Sequence, residues 1–204
     1  MKQTFQRVVG VAAATSIALL VVAGCSNDDS SDSAASSSTV SMAESATTSG
    51  SAAAVAPVEL TAADGSTVRL TGPIAAKYAA ATEKQKTDLG KPLTGEGAAG
   101  TGANGVVFQQ FDGGVITAKN ADDATPAYIT WGKIRDAWNV KRDESGAPAA
   151  DGKGGSQGPL GVATSDETEE GTVKTSTFEH GKITWDSATN KVEVTVNGKV
   201  VPTE

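Results

Sequence analysis

The stretch Leu160-Gly161-Val162-Ala163-Thr164-Ser165-Asp166-Glu167, followed by Phe178-Glu179-His180-Gly181-Lys182-Ile183-Thr184-Trp185, decides how the chain is read. It has an earlier counterpart in Leu89-Gly90-Lys91-Pro92-Leu93-Thr94-Gly95-Glu96 with Phe111-Asp112-Gly113-Gly114-Val115-Ile116. Leu160-Gly161 answers Leu89-Gly90, and Glu167 answers Glu96, at an offset of 71 residues. Phe178, Gly181 and Ile183 answer Phe111, Gly114 and Ile116 at an offset of 67. Upstream, Ile134 and Trp138 repeat the four-residue spacing of Ile74 and Tyr78 at an offset of 60. Ordered agreement at so many positions predicts a tandem duplication. The drift in offset is assigned to loops, chiefly Asp143 to Gly158, with five glycines in 16 residues. A small helix plus a hairpin buries too little surface to stand alone, so the copies are expected to pack together.

Working outward, Val58-Glu59-Leu60 and Val68-Arg69-Leu70 alternate apolar and polar residues around Asp64-Gly65, which predicts a hairpin. A helix is predicted next, with Pro73 at its first position, Ile74 and Tyr78 on one face, and Gly90 with Pro92 ending it. Val106 to Phe111 and Val115 to Thr117 flank Asp112-Gly113-Gly114 as a second hairpin, and Ala127 to Thr130 reads as a short strand. The expected fold class is therefore α+β. An N-terminal β-hairpin precedes two tandem small repeats (helix, Leu-Gly turn, β-hairpin) over roughly residues 73–130 and 131–196 of a domain at 57–204.

The rest of the 204-residue chain reads differently. Residues 1–24 have the form of an export signal: Lys2 and Arg7, then an uncharged apolar run from Val8 to Val22, then Ala23 and Gly24. That run is short of the roughly 20 residues that span a bilayer. Val22-Ala23-Gly24-Cys25 resembles the bacterial lipobox, which implies cleavage before Cys25 and a thioether to diacylglycerol on its sulfur. One acyl chain holds a membrane only marginally, whereas two or more make a stable anchor. From Cys25 to residue 56 the lipidated cysteine is followed by a Ser/Ala-rich linker with no aromatic, Leu or Ile, too apolar-poor to fold. As a flexible coil it would span roughly 30 Å. Its acidic residues Asp28, Asp29, Asp32 and Glu44 are repelled by anionic headgroups. The expected location is the extracytoplasmic face of the cell membrane, with the membrane as partner through the lipid.

Composition excludes several classes. The formal charge is −7, and removal of the leader takes away two of 17 basic residues and none of 24 acidic ones, so no nucleic-acid partner is expected. One cysteine precludes an internal disulfide and one histidine precludes a His pair for zinc. The acidic run Asp166, Glu167, Glu169, Glu170 lacks the loop spacing of a calcium site, and neither metal nor cofactor is expected.

The paired segments resemble the LGFP repeat, whose pattern runs approximately Leu-Gly-x-Pro-Thr-x-x-Glu and then Phe-x-x-Gly-x-Ile-x-Trp. The resemblance covers roughly residues 73–195, with Ala163 where the pattern has proline and Ala118 where it has the last aromatic. It implies an envelope protein of actinobacteria with a wall-anchoring role, in a family often joined to mycolyl-transferring esterases or peptidoglycan-cleaving amidases.

Candidate chemistry is sparse. Gly95 to Gly100 spells G-x-G-x-x-G, but a Lys-Pro turn precedes it and a Gly-rich loop follows, where a dinucleotide site needs a strand and a helix. Gly154-Gly155-Ser156-Gln157-Gly158 spells G-x-S-x-G within a polar connector rather than a strand-to-helix elbow. His180 falls in a hairpin turn. Thr164 to Glu167 reads as a capping box for one helical turn. Tyr78 and Trp138 are expected in the core. Trp185, Tyr128 and Trp131 are candidates for stacking on a sugar, with Glu96 and Glu167 as candidate hydrogen-bond acceptors. The expected function is a non-catalytic, membrane-anchored lipoprotein that binds cell-wall polysaccharide or peptidoglycan and supports the envelope. The alternatives are an envelope esterase or hydrolase, or an accessory subunit that recruits such an enzyme.

Overall fold

The computed structural model describes residues 55–203; the leader, Cys25 and the linker up to residue 54 lie outside the described residues. The first hairpin forms as its alternation predicts. β1 (Val58–Thr61) pairs antiparallel with β2 (Thr67–Leu70), and Asp64 in the turn accepts the Ser66 backbone N–H at 2.9 Å. Pro73 then lies in the first turn of α1 (Gly72–Ala80), where its missing N–H interrupts no helical bond. The helix expected to continue to Gly90 instead stops at Ala81, and α2 (Glu83–Leu89) starts afresh from Thr82. The Thr82 hydroxyl accepts the Gln85 N–H at 3.1 Å while the Gln85 side chain accepts the Thr82 N–H at 2.9 Å, a capping box that fixes the new start.

Four strands follow in chain order as one antiparallel sheet: β3 (Ala99–Thr101), β4 (Val107–Gln110), β5 (Gly114–Ala118) and β6 (Ala127–Trp131). Helix α3 (Gly132–Asn139) leads into the hairpin β7 (Val140–Arg142) and β8 (Pro148–Lys153), then a 3-10 turn at Gly155–Gln157. A five-stranded antiparallel sheet ends the chain: β9 (Thr168–Glu170), β10 (Val173–Phe178), β11 (Gly181–Asp186), β12 (Lys191–Val196) and β13 (Lys199–Val201).

The expected α+β fold of two tandem helix–turn–hairpin repeats is thereby overturned. Strands hold 41% and helices 18%, with thirteen strands in four antiparallel sheets against three α-helices among the described residues. The two halves are built differently. Where α2 leads into Leu89, the second half has the hairpin β7–β8 and a 3-10 turn before Leu160, so the stretch 143–158 holds strand β8 and a 3-10 turn between its loop segments. Thr164 to Glu167 cap no helix; the Ser165 hydroxyl accepts the Thr177 N–H at 2.9 Å, alongside β10. Spaced anchor residues recur, and the elements between them do not.

The anchors themselves recur closely. Tyr78 stacks on Phe111 with centroids 5.7 Å apart, and Trp138 on Phe178 at 5.6 Å. The Leu89 carbonyl accepts the Gly113 N–H at 2.9 Å, and the Leu160 carbonyl accepts the His180 N–H at 3.0 Å. Pro92 bridges to Phe111 as Ala163 does to Phe178, so alanine keeps the pairing at the place where the repeat pattern has proline. These knots sit in two cores on opposite faces of the four-stranded sheet. One gathers Ile74, Leu89, Phe111, Ile116 and Ile129, and the other Val115, Ile134, Trp138, Leu160, Phe178 and Ile183. Strand β5 serves both, and all five of its residues are buried, which is why it reads as an unbroken Val-Ile-Thr-Ala run rather than an alternation. The two sides are also joined through Asp166, which forms an ion pair with Lys77 of α1 and accepts the Ile129 N–H of β6 at 2.9 Å.

Candidate functional site

Trp131 ends β6 in extended conformation (φ −143°), and Gly132 (φ 52°) turns the chain into α3, leaving the indole half-buried at the corner. Trp185 reaches the same place from β11. It is half-buried, opposite Lys174 on β10 and Val192 on β12, and its Nε1–H donates to Asn190 Oδ1 at 3.2 Å. Between the strands, Lys174 Nζ lies 5.8 Å from the Trp185 ring centroid, a cation–π contact. It also donates to Glu167 Oε1 at 2.9 Å, with Glu169 Oε2 at 3.6 Å. The Glu167 hydrogen bond holds the Lys174 ammonium above the usual lysine range, against the opposing effect of burial. Trp131, Trp185, Glu167 and Lys174 thus line one open cleft of about 410 Å³, with Lys84 and Asp88 of α2 (paired at 2.6 Å) and Lys133 also lining it.

Three of the five residues singled out in the sequence therefore converge. Their chemistry is that of a binding surface: flat indole faces beside ionised groups that offer donors and acceptors. Glu167, whose side chain is 9% exposed, is committed to Lys174. Lys174 was invisible to sequence reasoning because its meeting with Trp185 follows from the register of β10 on β11.

The other two candidates lie elsewhere. Tyr128, an odd number of residues from Trp131 along β6, faces the second core and lines a different cleft of about 520 Å³ with Lys119, Glu179 and His180. There Glu179 is ion-paired with Lys119 at 2.8 Å and accepts the Val162 N–H at 3.3 Å. The Lys119 hydrogen bond, with lesser help from Val162 and His180, holds the Glu179 carboxyl below the usual carboxylate range. Glu96 is exposed in the turn before β3 and lines neither cleft, so it is not the structural equivalent of Glu167.

The G-x-G-x-x-G segment runs through that turn into β3, with no helix after it. The serine of G-x-S-x-G sits in the 3-10 turn, away from the cleft that holds His180. Among the described residues no group of three or more His, Cys, Asp or Glu side chains is arranged to hold a metal, and no helix is long and apolar enough to cross a membrane.

Comparison with protein families gives a match to the LGFP repeat over residues 89–146. The matched stretch begins at the Leu89-Gly90 turn, spans the four-stranded sheet and α3, and ends in the β7–β8 turn, so it includes Trp131 and Lys133 but not Trp185, Lys174 or Glu167. No curated protein matches the chain. Residues 89–146 are thus similar to an LGFP repeat, a likeness that points to association with the cell envelope.

Proposed function

We propose that the chain is a membrane-anchored envelope lipoprotein, held by acyl chains on Cys25, whose domain binds cell-wall glycan without catalysis. The observation that carries the binding half is the convergence of Trp131, Trp185 and Lys174 on one open cleft beside the LGFP repeat. Pyranose rings present flat C–H faces that pack on indole, and the paired charges around the cleft supply hydrogen bonds to ring hydroxyls. The commitment of Glu167 to Lys174 supports a recognition role over one as a free general acid.

Co-sedimentation of the full mature chain with purified peptidoglycan–arabinogalactan tests this reading. Retention is expected, with Trp131→Ala and Trp185→Ala each weakening it at least tenfold. Retention that ignores both variants overturns the site, and release of soluble sugar or stem peptide from the wall overturns the non-catalytic reading. Incorporation of labelled fatty acid into the chain, and its loss in Cys25→Ser, tests the anchor.

A further inference from the structure

The G-x-S-x-G loop covers a small cavity of about 190 Å³ that is separate from the aromatic cleft. The loop is fixed from two sides and by one bond within it. The Gly154 N–H donates to the Asn139 carbonyl at 2.8 Å, Asn104 Nδ2 donates to the Ser156 carbonyl at 2.7 Å, and the Gly158 N–H donates to the Gly155 carbonyl at 3.0 Å. A Cβ at Gly154 would lie 2.6 Å from the Val140 carbonyl oxygen, so only glycine lets the loop approach this closely. The wall opposite is apolar, built from Phe108, Val115 and the Trp138 ring.

The charges around this cavity are the unusual part. Arg135 and Lys153 both line it, neither forms an ion pair among the described residues, and no Asp or Glu is among its lining residues. The polar partner that Arg135 has is Gln110, its Nη2 donating to Oε1 at 2.7 Å. Two cations thus share one cavity whose lining carries no carboxylate. Thr117 also lines the cavity; it is 2% exposed and its hydroxyl has no hydrogen-bond partner, a costly state for a buried polar group.

We propose that this cavity binds a small carboxylate with a short apolar substituent, its carboxylate between Arg135 and Lys153 and its carbon chain against Phe108 and Trp138. A guanidinium matches a planar carboxylate through two parallel N–H bonds. The cavity volume admits roughly ten heavy atoms at most, well under the 300 Å³ or more of drug-sized sites. Because no acidic side chain lines it, an α-ammonium group would find no charged partner, so a simple or hydroxylated acid fits better than a zwitterionic amino acid. This inference is independent of glycan binding in the aromatic cleft.

The test is an NMR titration of the full mature chain with sodium propionate, its neutral isostere propionamide, and inorganic phosphate. Saturable shifts at the Trp138 indole N–H and the Gly155 amide with propionate alone are expected. Arg135→Gln should weaken them at least tenfold and Lys153→Gln, at an exposed position that leaves the fold intact, about threefold. Equal response to propionamide, or full response in both variants, overturns the proposal. Saturation by phosphate with none by propionate overturns the carboxylate assignment.

Discussion

At the scale of single residues, two glycines and one carboxylate carry the second anchor knot. Gly181 opens β11 where an added Cβ would lie 1.9 Å from the Thr195 backbone carbonyl and 2.9 Å from the Leu160 side chain. Backbone on the neighbouring strand cannot swing aside as a side chain can, so Gly181→Ala should cost about 3 kcal/mol or more by overpacking, read as a fall in denaturation midpoint. Gly161 has φ 75°, and a Cβ there would lie 2.5 Å from Glu179 Oε2. Gly161→Ala should cost less, about 1–2 kcal/mol of left-handed strain plus displacement of a movable carboxylate. The Glu179 carboxyl titrates below the usual range in the folded chain. Its contribution to stability is therefore complete above the unfolded value of about 4.5 and drains away as pH falls through the lower folded value. Melting temperatures of Glu179→Gln and the parent chain measured from pH 7 down to pH 3 should converge below pH 4.5; a constant gap would contradict the assignment.

Among the elements, the hairpin β7–β8 depends on Arg142 in an unusual way. This guanidinium is buried, and Nη1 donates to the Gly146 carbonyl at 3.0 Å within the turn and to the Pro202 carbonyl at 2.5 Å, with Nη2 reaching the Thr203 carbonyl at 3.3 Å. Burial alone lowers its pKa from the usual arginine value. The hairpin turn and the chain end after β13 are therefore held by one side chain. Ending the chain after Val201 removes two of its three carbonyl partners, and the unsatisfied charge should lower stability by about 2–3 kcal/mol. If calorimetry finds the truncated chain as stable as the parent, the clamp contributes nothing. The same hairpin shows where sequence reading fails. Pro148-Ala149-Ala150-Asp151-Gly152-Lys153 has no apolar alternation because most of its side chains are exposed, and its pairing is set by β7 and the Arg142 contacts rather than by its own pattern. By contrast β1–β2 and β4–β5 were legible, the first from its alternation and the second from its apolar runs, with a Gly-containing turn joining each pair. Two signals stood in the sequence unread. One is Thr82-x-x-Gln85, the capping box that splits the predicted helix; the other is Val192-Glu193-Val194-Thr195-Val196 before Asn197-Gly198, a strand with a hairpin turn.

Taken as a whole molecule, the described chain has one sheet sandwiched between two cores, and β5 belongs to both. Loss of packing on either face therefore loosens the strand that the other face rests on. Phe111→Leu and Phe178→Leu, cutting opposite faces, should each shift one shared unfolding transition downward, by about 1–3 kcal/mol. Two separate transitions, followed by tryptophan fluorescence for the second core and near-ultraviolet dichroism for the first, would show that the cores fold apart. The anchor residues of these cores were legible from their spacing, and Tyr78 and Trp138 from the helix faces they share, but the stacking of Tyr78 on Phe111 was not. The site was legible in Trp131, Trp185 and Glu167, and not in Lys174. Which of them meet depends on β6 placing Trp131 and Tyr128 on opposite faces and on β11 carrying Trp185 beside Lys174, relations that register creates and composition does not encode.

The hold that Asp166 keeps on Ile129 also governs how one copy of the chain meets another. β6 is the outermost strand of its sheet, and its outward N–H groups are a template on which a second chain could align. A carboxylate fastened there, and itself neutralised by Lys77, occupies that template from within the same molecule. Asp166→Ala should therefore do more than soften the fold: it should let neighbouring copies zip together edge to edge, seen as concentration-dependent oligomers in sedimentation where the parent chain gives none.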